Sequence, residues 1–184
     1  MKKCLLYLSF LLIPVANFAQ GVFSNKTNQA IETVLQDYTN QFGTIKGNLL
    51  YENGQLSTYQ STVLIPGAIS CKIIMHSNQA VQWQAVLYSS NSFEESRKRF
   101  KELFSQIKNT IIRMENDKPI ILNGRFETPE PTNTHTIIPF DLLPANRFAK
   151  KLQVSLAMHQ QGGEWKIILN VHDAPVNTLA ITNN

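Results

Sequence analysis

Two segments of the chain place apolar residues three and four positions apart, which is the spacing of one face of an α-helix. In the first segment these residues are Ile31, Val34, Leu35, Tyr38 and Phe42, and in the second they are Phe93, Phe100, Leu103, Phe104 and Ile107. The second segment also carries a start signal, a capping box formed by Ser92 and Glu95. In such a box the serine oxygen accepts from the Glu95 amide, and the glutamate reaches back to the serine amide. The pattern predicts two amphipathic helices that each turn an apolar stripe toward a core.

Short runs with a strand-like composition follow each predicted helix. The runs after the first helix are 47–51, 59–65, 71–76 and 81–88, and those after the second are 111–114, 120–127, 135–140, 152–159 and 164–171. Polar turn residues separate the last two runs of each set, as a β-hairpin requires. These runs predict antiparallel strands.

The chain also repeats an order of features. Met75-His76 is followed by a polar turn and Trp83, and Met158-His159 is followed by a polar turn and Trp165. Each of these hairpins comes after one of the predicted helices. This order predicts an internal duplication of a unit made of one helix and about three strands.

Two such units, at about residues 24–90 and 91–174, are expected to share one antiparallel sheet. With both helices on one face of that sheet, the fold is a two-layer α+β sandwich. We therefore expect a single α+β domain over residues 20–184, ending in a short C-terminal tail.

Alternate residues of a strand point to opposite faces of a sheet, and one face of each predicted hairpin is apolar. In the first hairpin this face carries Cys71, Ile73, Met75, Val81, Trp83, Ala85 and Leu87, and in the second it carries Val154, Leu156, Met158, Trp165, Ile167, Leu169 and Val171. We expect this face to lie under the helices. The repeated Met and Trp are then core residues in equivalent positions.

The opposite, outward face mixes histidine, amide and apolar side chains with few charges. Such a mixture is typical of a partner surface, although scattered exposed apolar residues, or a face covered by loops or the tail, are equally consistent with it. The candidate binding residues on this face are Ile74, His76, Tyr88, His159, Ile168 and His172.

Residues 1–19 have the parts of a secretory signal peptide. Lys2 and Lys3 precede an apolar run over 5–15, and small residues up to Ala19 provide a cleavage site. The apolar run is shorter than the roughly 20 residues that a membrane-spanning helix needs. We expect export to the periplasm or beyond the cell, without a membrane span.

Cleavage after Ala19 changes the charge and the cysteine count. The full chain has 17 basic and 13 acidic residues, so removing Lys2 and Lys3 lowers the net charge from +4 to +2. This near balance gives no electrostatic reason to expect nucleic acid or an anionic membrane as a partner. Cys71 becomes the one remaining cysteine, so no internal disulfide is expected and the core alone must hold the fold.

The sequence contains no motif for nucleophilic catalysis, phosphate binding or dinucleotide binding, and we expect no cofactor. A metal site would require His76, His159 and His172 to converge on one ion at about 2.0–2.1 Å. A hydrolase would use the loops at 128–134 and 141–151, which the second half inserts, with His135, Asp141 and Arg147 in direct contact.

The sequence therefore favours an exported, non-catalytic binding or interaction module that uses the outward face of the sheet. Its partner would be a protein or small molecule of the cell envelope. A small envelope hydrolase and a metal-binding protein are the alternatives.

Overall fold

A computed structural model gives the structure of the chain over residues 24–113, 118–145 and 149–174. The predicted signal segment, 1–19, and the tail from residue 175 onward lie outside these described residues. Neither helix found within the described ranges is long and apolar enough to cross a membrane.

Both predicted helices are present. The first is α1 (Ser24–Asp37), which leads into a single 3-10 turn at Tyr38–Asn40, and the second is α2 (Phe93–Ile107). Ser92 caps α2 as predicted, because its hydroxyl oxygen accepts from the Glu95 amide at 3.3 Å.

The reciprocal contact of the predicted capping box, between the Glu95 carboxylate and the Ser92 amide, is replaced by a contact through Ser90. The Glu95 carboxylate accepts from the Ser90 hydroxyl at 3.0 Å, and Ser90 Oγ in turn accepts from the Ser92 amide at 3.1 Å. Ser90 therefore stands between the glutamate and the amide that the glutamate was expected to contact. The amide is satisfied all the same, so the start of the helix is stabilised by three side chains in place of two.

The described residues contain nine strands that form one antiparallel sheet. They are β1 (Lys46–Glu52), β2 (Leu56–Ser61), β3 (Ser70–His76), β4 (Val81–Ser90), β5 (Ile111–Ile112), β6 (Ile120–Asn123), β7 (His135–Leu143), β8 (Leu152–Gln161) and β9 (Glu164–Asp173). Their order across the sheet is β1-β2-β3-β4-β9-β8-β7-β6-β5. The fold is therefore α+β and dominated by sheet. The prediction of about three strands in each half is wrong, since the first half supplies four and the second half five.

One predicted loop is partly a strand. The segment from Asp141 was expected to interrupt the sheet, but β7 continues through Leu143 and pairs with β6. The reason is visible in the alternation, because Ile138, Phe140 and Leu142 are all buried and keep the same face of β7 against the core. The Pro144 that follows marks the end of the strand.

One cluster of buried apolar side chains joins the sheet to both helices. The predicted core positions of both hairpins belong to it, and Met75 alone among them is only partly buried. Helix α2 packs against β4, β8 and β9, while α1 contacts β5. The side chains predicted for the core face of the two hairpins are therefore buried or partly buried, but Ala157 and Ile168 of the expected outward face are buried as well.

A register shift between β4 and β9 alters the face of one candidate residue. Val86 pairs with Ile168, but Tyr88 pairs with Ile167, so Leu87 is an additional residue on β4. Beyond such a β-bulge, a residue that simple alternation assigns to one face of the strand lies on the opposite face. Ile167 is fully buried, and Tyr88 packs against the same core cluster. The expectation that Tyr88 points outward is therefore wrong.

Candidate functional site

The strand register aligns the outward side chains in rows that cross the centre of the sheet. One row runs across β3, β4, β9 and β8 through Ile74, Gln82, His172 and Gln153. The next row, two residues along the strands, runs through Lys72, Gln84, Asn170 and Ser155 and continues to Pro139 on β7. These two rows bring amide side chains from three neighbouring strands together.

Asn170 is the centre of this amide group. Its side-chain oxygen accepts from Gln82 Nε2 at 2.8 Å and from Gln84 Nε2 at 3.1 Å. On β4, Gln84 lies directly opposite Asn170 and Gln82 lies opposite His172, one row away, so the register of β4 against β9 sets both contacts. In this arrangement both lone pairs of the Asn170 oxygen are used. Its Nδ2 group has no hydrogen-bond partner within the part of the chain that the structure describes.

An open groove of about 550 Å³ lies over these rows. Side chains from five consecutive strands of the sheet, β3, β4, β9, β8 and β7, line it, which requires that the outward face be concave here. Its polar lining includes Gln82, Gln153, Ser155, Asn170 and His172, and its apolar side includes Ile137 and Pro139. The groove is therefore an amide-rich surface with an apolar rim along β7.

Two candidate binding residues line the groove, and three others of the outward face do not. His76 and His172 line it at one end. His172 Nδ1 donates to the carbonyl oxygen of Asp173 at 2.7 Å, which leaves Nε2 as an acceptor in the neutral ring. Ile74 lies in the first row and Ile168 lies in a further row with Val86 and Ala157, and neither lines the groove. Ile168 is only 6% exposed, so the expectation that it is available to a partner is wrong.

His159 lies at a different place on the face. It pairs with Lys166, which is six residues from His172 along β9, a separation of about 20 Å in a strand. The three predicted histidines therefore do not converge on one point. No group of three or more His, Cys, Asp or Glu side chains that could hold a metal occurs among the described residues.

The residues considered for a hydrolase do not meet either. His135 and Asp141 lie on the same strand, six residues apart, which corresponds to about 20 Å and excludes direct contact. Arg147 lies outside the described residues. Cys71 is buried at 5% exposure, and burial raises the pKa of its thiol, although a backbone hydrogen bond with Ile65 partly opposes this. A thiol in such an environment is unreactive.

Sequence reasoning missed two features of this face. The first is the groove lining from the second half of the chain, in particular Ser155, Asn170 and Ile137. Asn170 was recognisable as an outward residue from alternation, but its contact with Gln82 depends on the pairing of β4 with β9. The second is His135, which was considered only for the hydrolase and lies directly opposite His159.

No protein-family model matches the chain, and neither a curated protein nor a solved structure matches it. The function of the chain is therefore inferred from the chemistry of its outward face.

Proposed function

We propose that this protein is an exported, non-catalytic binding protein that holds a small, uncharged ligand in the groove of the outward face. The observation that carries the proposal is the fixed amide of Asn170. The side chains of Gln82 and Gln84 donate to its oxygen, Asn170 lines the groove, and its Nδ2 group has no hydrogen-bond partner among the described residues. A polar group held rigid and left unpaired is ready to donate to a ligand.

The size and lining of the groove restrict the ligand. A volume of about 550 Å³ is in the range of small-molecule sites. The amides of Gln82, Gln153 and Asn170, with the Ser155 hydroxyl, offer both donors and acceptors, which suits amide or hydroxyl groups. No Phe, Tyr or Trp ring lines the groove within the described residues, so stacking on such rings does not contribute to recognition. His76, His172 and Asp173 also line the groove, but its centre is formed by amide groups, which do not act as acids or bases near neutral pH, and this is why we propose binding rather than catalysis.

The proposal is tested by native mass spectrometry of the protein recovered from the periplasm without metal-affinity resin. We expect an excess mass of a small organic molecule, retained in Gln60→Ala and lost in Asn170→Ala. Gln60 is the matched control, because it is an exposed amide residue on β2 that pairs with Lys72 and does not line the groove.

The same variants are then compared in thermal unfolding with N-acetyl dipeptide amides and monosaccharides as probes. A stabilisation by any probe that disappears in Asn170→Ala but not in Gln60→Ala supports the proposal. If neither a bound mass nor any Asn170-dependent stabilisation is found, the proposed function is wrong.

Export is part of the proposal and has its own measurement. It is supported by the charged start, the short apolar run and the small residues before Gln20. We expect the periplasmic protein to begin at Gln20, which intact-mass measurement determines directly. A protein that keeps residues 1–19 and stays in the cytoplasm would contradict export.

We further propose that the two halves are an internal duplication with both helices on one face of the sheet. The strand order supports this, because β1 to β4 follow one another from one edge to the centre, and β6 to β9 do the same from the other side, where β5 is the additional edge strand. Trp83 and Trp165 then take related places, the first opposite Val171 on β9 and the second opposite Ser90 on β4. Both helices contribute to the one core cluster, which supports their placement on the same face.

A further inference from the structure

Three basic side chains form a row at one end of the outward face. His135 on β7 pairs directly with His159 on β8, and His159 pairs directly with Lys166 on β9. Side chains at directly opposed positions of an antiparallel pair have Cβ atoms about 4.5–5.5 Å apart and interact. We call His135, His159 and Lys166 the basic row.

The basic row has no acidic partner. Within residues 24–113, 118–145 and 149–174, no carboxylate lies within 4.0 Å of any of its three side chains. The nearest acid along β9, Glu164, accepts instead from the Ser89 hydroxyl at 2.8 Å, and Lys166 Nζ contacts the neutral Gln161 amide oxygen at 3.4 Å. Like charges directly opposite each other destabilise a sheet, so this arrangement is unfavourable without a counter-charge whenever the imidazoles are protonated.

The electrostatics of His159 agree with the geometry. Its pKa is lowered first by partial burial and then by the positive charges of Lys166 and His135. Of the other elements around it, β4 contributes the neutral Ser89, and the loop before β7 carries the exposed Glu130, which is not among the groups that shift His159. Both charges that shift the pKa of His159 are therefore positive, while the Glu164 carboxylate, hydrogen-bonded to Ser89, is not among them.

We propose that the basic row is a binding site for an oxyanion, namely a phosphate, sulfate or carboxylate group. The anion accepts from Lys166 Nζ and from ring N–H groups of His159 and His135, in charge-assisted hydrogen bonds. The site is independent of the groove, because Lys166 and Asn170 are four residues apart on β9, about 13 Å. The test of this site is therefore separate from the test of the proposed function.

Binding of an anion beside His159 and protonation of its ring must each increase the affinity for the other. Since an anion favours the protonated ring, it raises the pKa of His159, and affinity for the anion rises as the pH falls. At saturating anion, a tenfold difference in anion affinity between the protonated and neutral rings corresponds to a rise of about one unit in the His159 pKa.

The test follows the histidine ring resonances by NMR through a pH titration, in separate series with inorganic phosphate, acetate and sodium chloride at equal ionic strength. The chloride series is essential, because simple screening also relieves repulsion among like charges. We expect phosphate or acetate at millimolar concentration to raise the His159 pKa beyond the effect of chloride, while the His76 resonance does not respond. The anion with the larger effect identifies the ligand class.

Two variants complete the test. Lys166→Ala removes one member of the basic row and is expected to abolish the anion-specific shift. Lys72→Ala removes a lysine from the same face, where its cross-strand neighbours are Gln60 and Gln84, and is expected to leave that shift unchanged. Equal responses to chloride and to both oxyanions would overturn the proposal, and so would an anion-specific shift that persists in Lys166→Ala. Because each measurement is made on a histidine signal of the folded protein, loss of folding in a variant is recognised at once.

Discussion

The indole N–H of Trp83 donates a 3.0 Å hydrogen bond to the hydroxyl oxygen of Ser61, and both side chains are buried. The same hydroxyl donates to the Val63 carbonyl oxygen at 2.8 Å. Ser61 therefore satisfies the polar atom of a fully buried tryptophan and connects the end of β2 to β4.

Substitution Ser61→Ala is expected to lower the free energy of unfolding by about 1–3 kcal/mol, because the indole N–H is left in the core without an acceptor. Urea denaturation at neutral pH measures the change. Ser105→Ala on the exposed surface of α2 is the control, with an expected change within about 0.5 kcal/mol. Equal losses for the two variants would show that the Trp83 contact contributes nothing.

The phenol of Tyr38 joins the end of α1 to the end of β9. Its hydroxyl contacts an Asp173 carboxylate oxygen at 2.5 Å and the Lys151 carbonyl oxygen at 2.7 Å. Burial raises the pKa of Tyr38 well above its usual range, and the hydrogen bond with Asp173 and the charge of Asp173 raise it further. The neutral phenol is thus the form that the fold stabilises.

A raised pKa in the folded state gives stability that is fully present below the unfolded value of about 10 and is lost as the pH rises through the folded value. We expect Tyr38→Phe to lower stability by about 0.5–1.5 kcal/mol near pH 8, and the difference from wild type to shrink above about pH 10. Urea denaturation at the two pH values tests this. A difference that grows with pH would contradict the assignment.

Cys71 is expected to be nearly inert in the folded protein. Its side chain is buried and the pKa of its thiol is raised, so both access and thiolate content are low. An aromatic disulfide reagent should label it at least about a hundredfold more slowly than it labels the unfolded chain, since reaction requires local opening. Ser105→Cys, at an exposed site, provides the reference rate. Labelling of Cys71 at that reference rate would refute its burial.

The bulge at Leu87 makes Tyr88 part of the core side of β4. We expect Tyr88→Ala to lower the free energy of unfolding by about 1–3 kcal/mol, since it removes a partly buried ring from the core cluster. His76→Ala, on the exposed end of β3, should stay within about 0.5 kcal/mol of wild type. If the two variants are equally neutral in thermal and urea unfolding, Tyr88 does not pack as the register indicates.

The sequence by itself determined the local features of this protein. The apolar spacing from Ile31 and from Phe93 predicted α1 and α2, and alternation separated the buried from the outward residues of both hairpins. These predictions succeed because helix and strand periods are properties of neighbouring residues, and a buried face requires an apolar residue at every turn or every second position. His76 and His172 were placed on the outward face for the same reason.

Only the tertiary structure decided which strands are neighbours. The contact of Gln82 with Asn170 depends on pairing between β4 and β9, which are distant in the chain, and the row of His135, His159 and Lys166 depends on the exact register of β7, β8 and β9. Tyr88 changed face because one extra residue in β4 shifts the register against β9. The register aligns residues of different strands, so it cannot be read from the alternation within a single strand. Both proposed binding sites depend on this alignment.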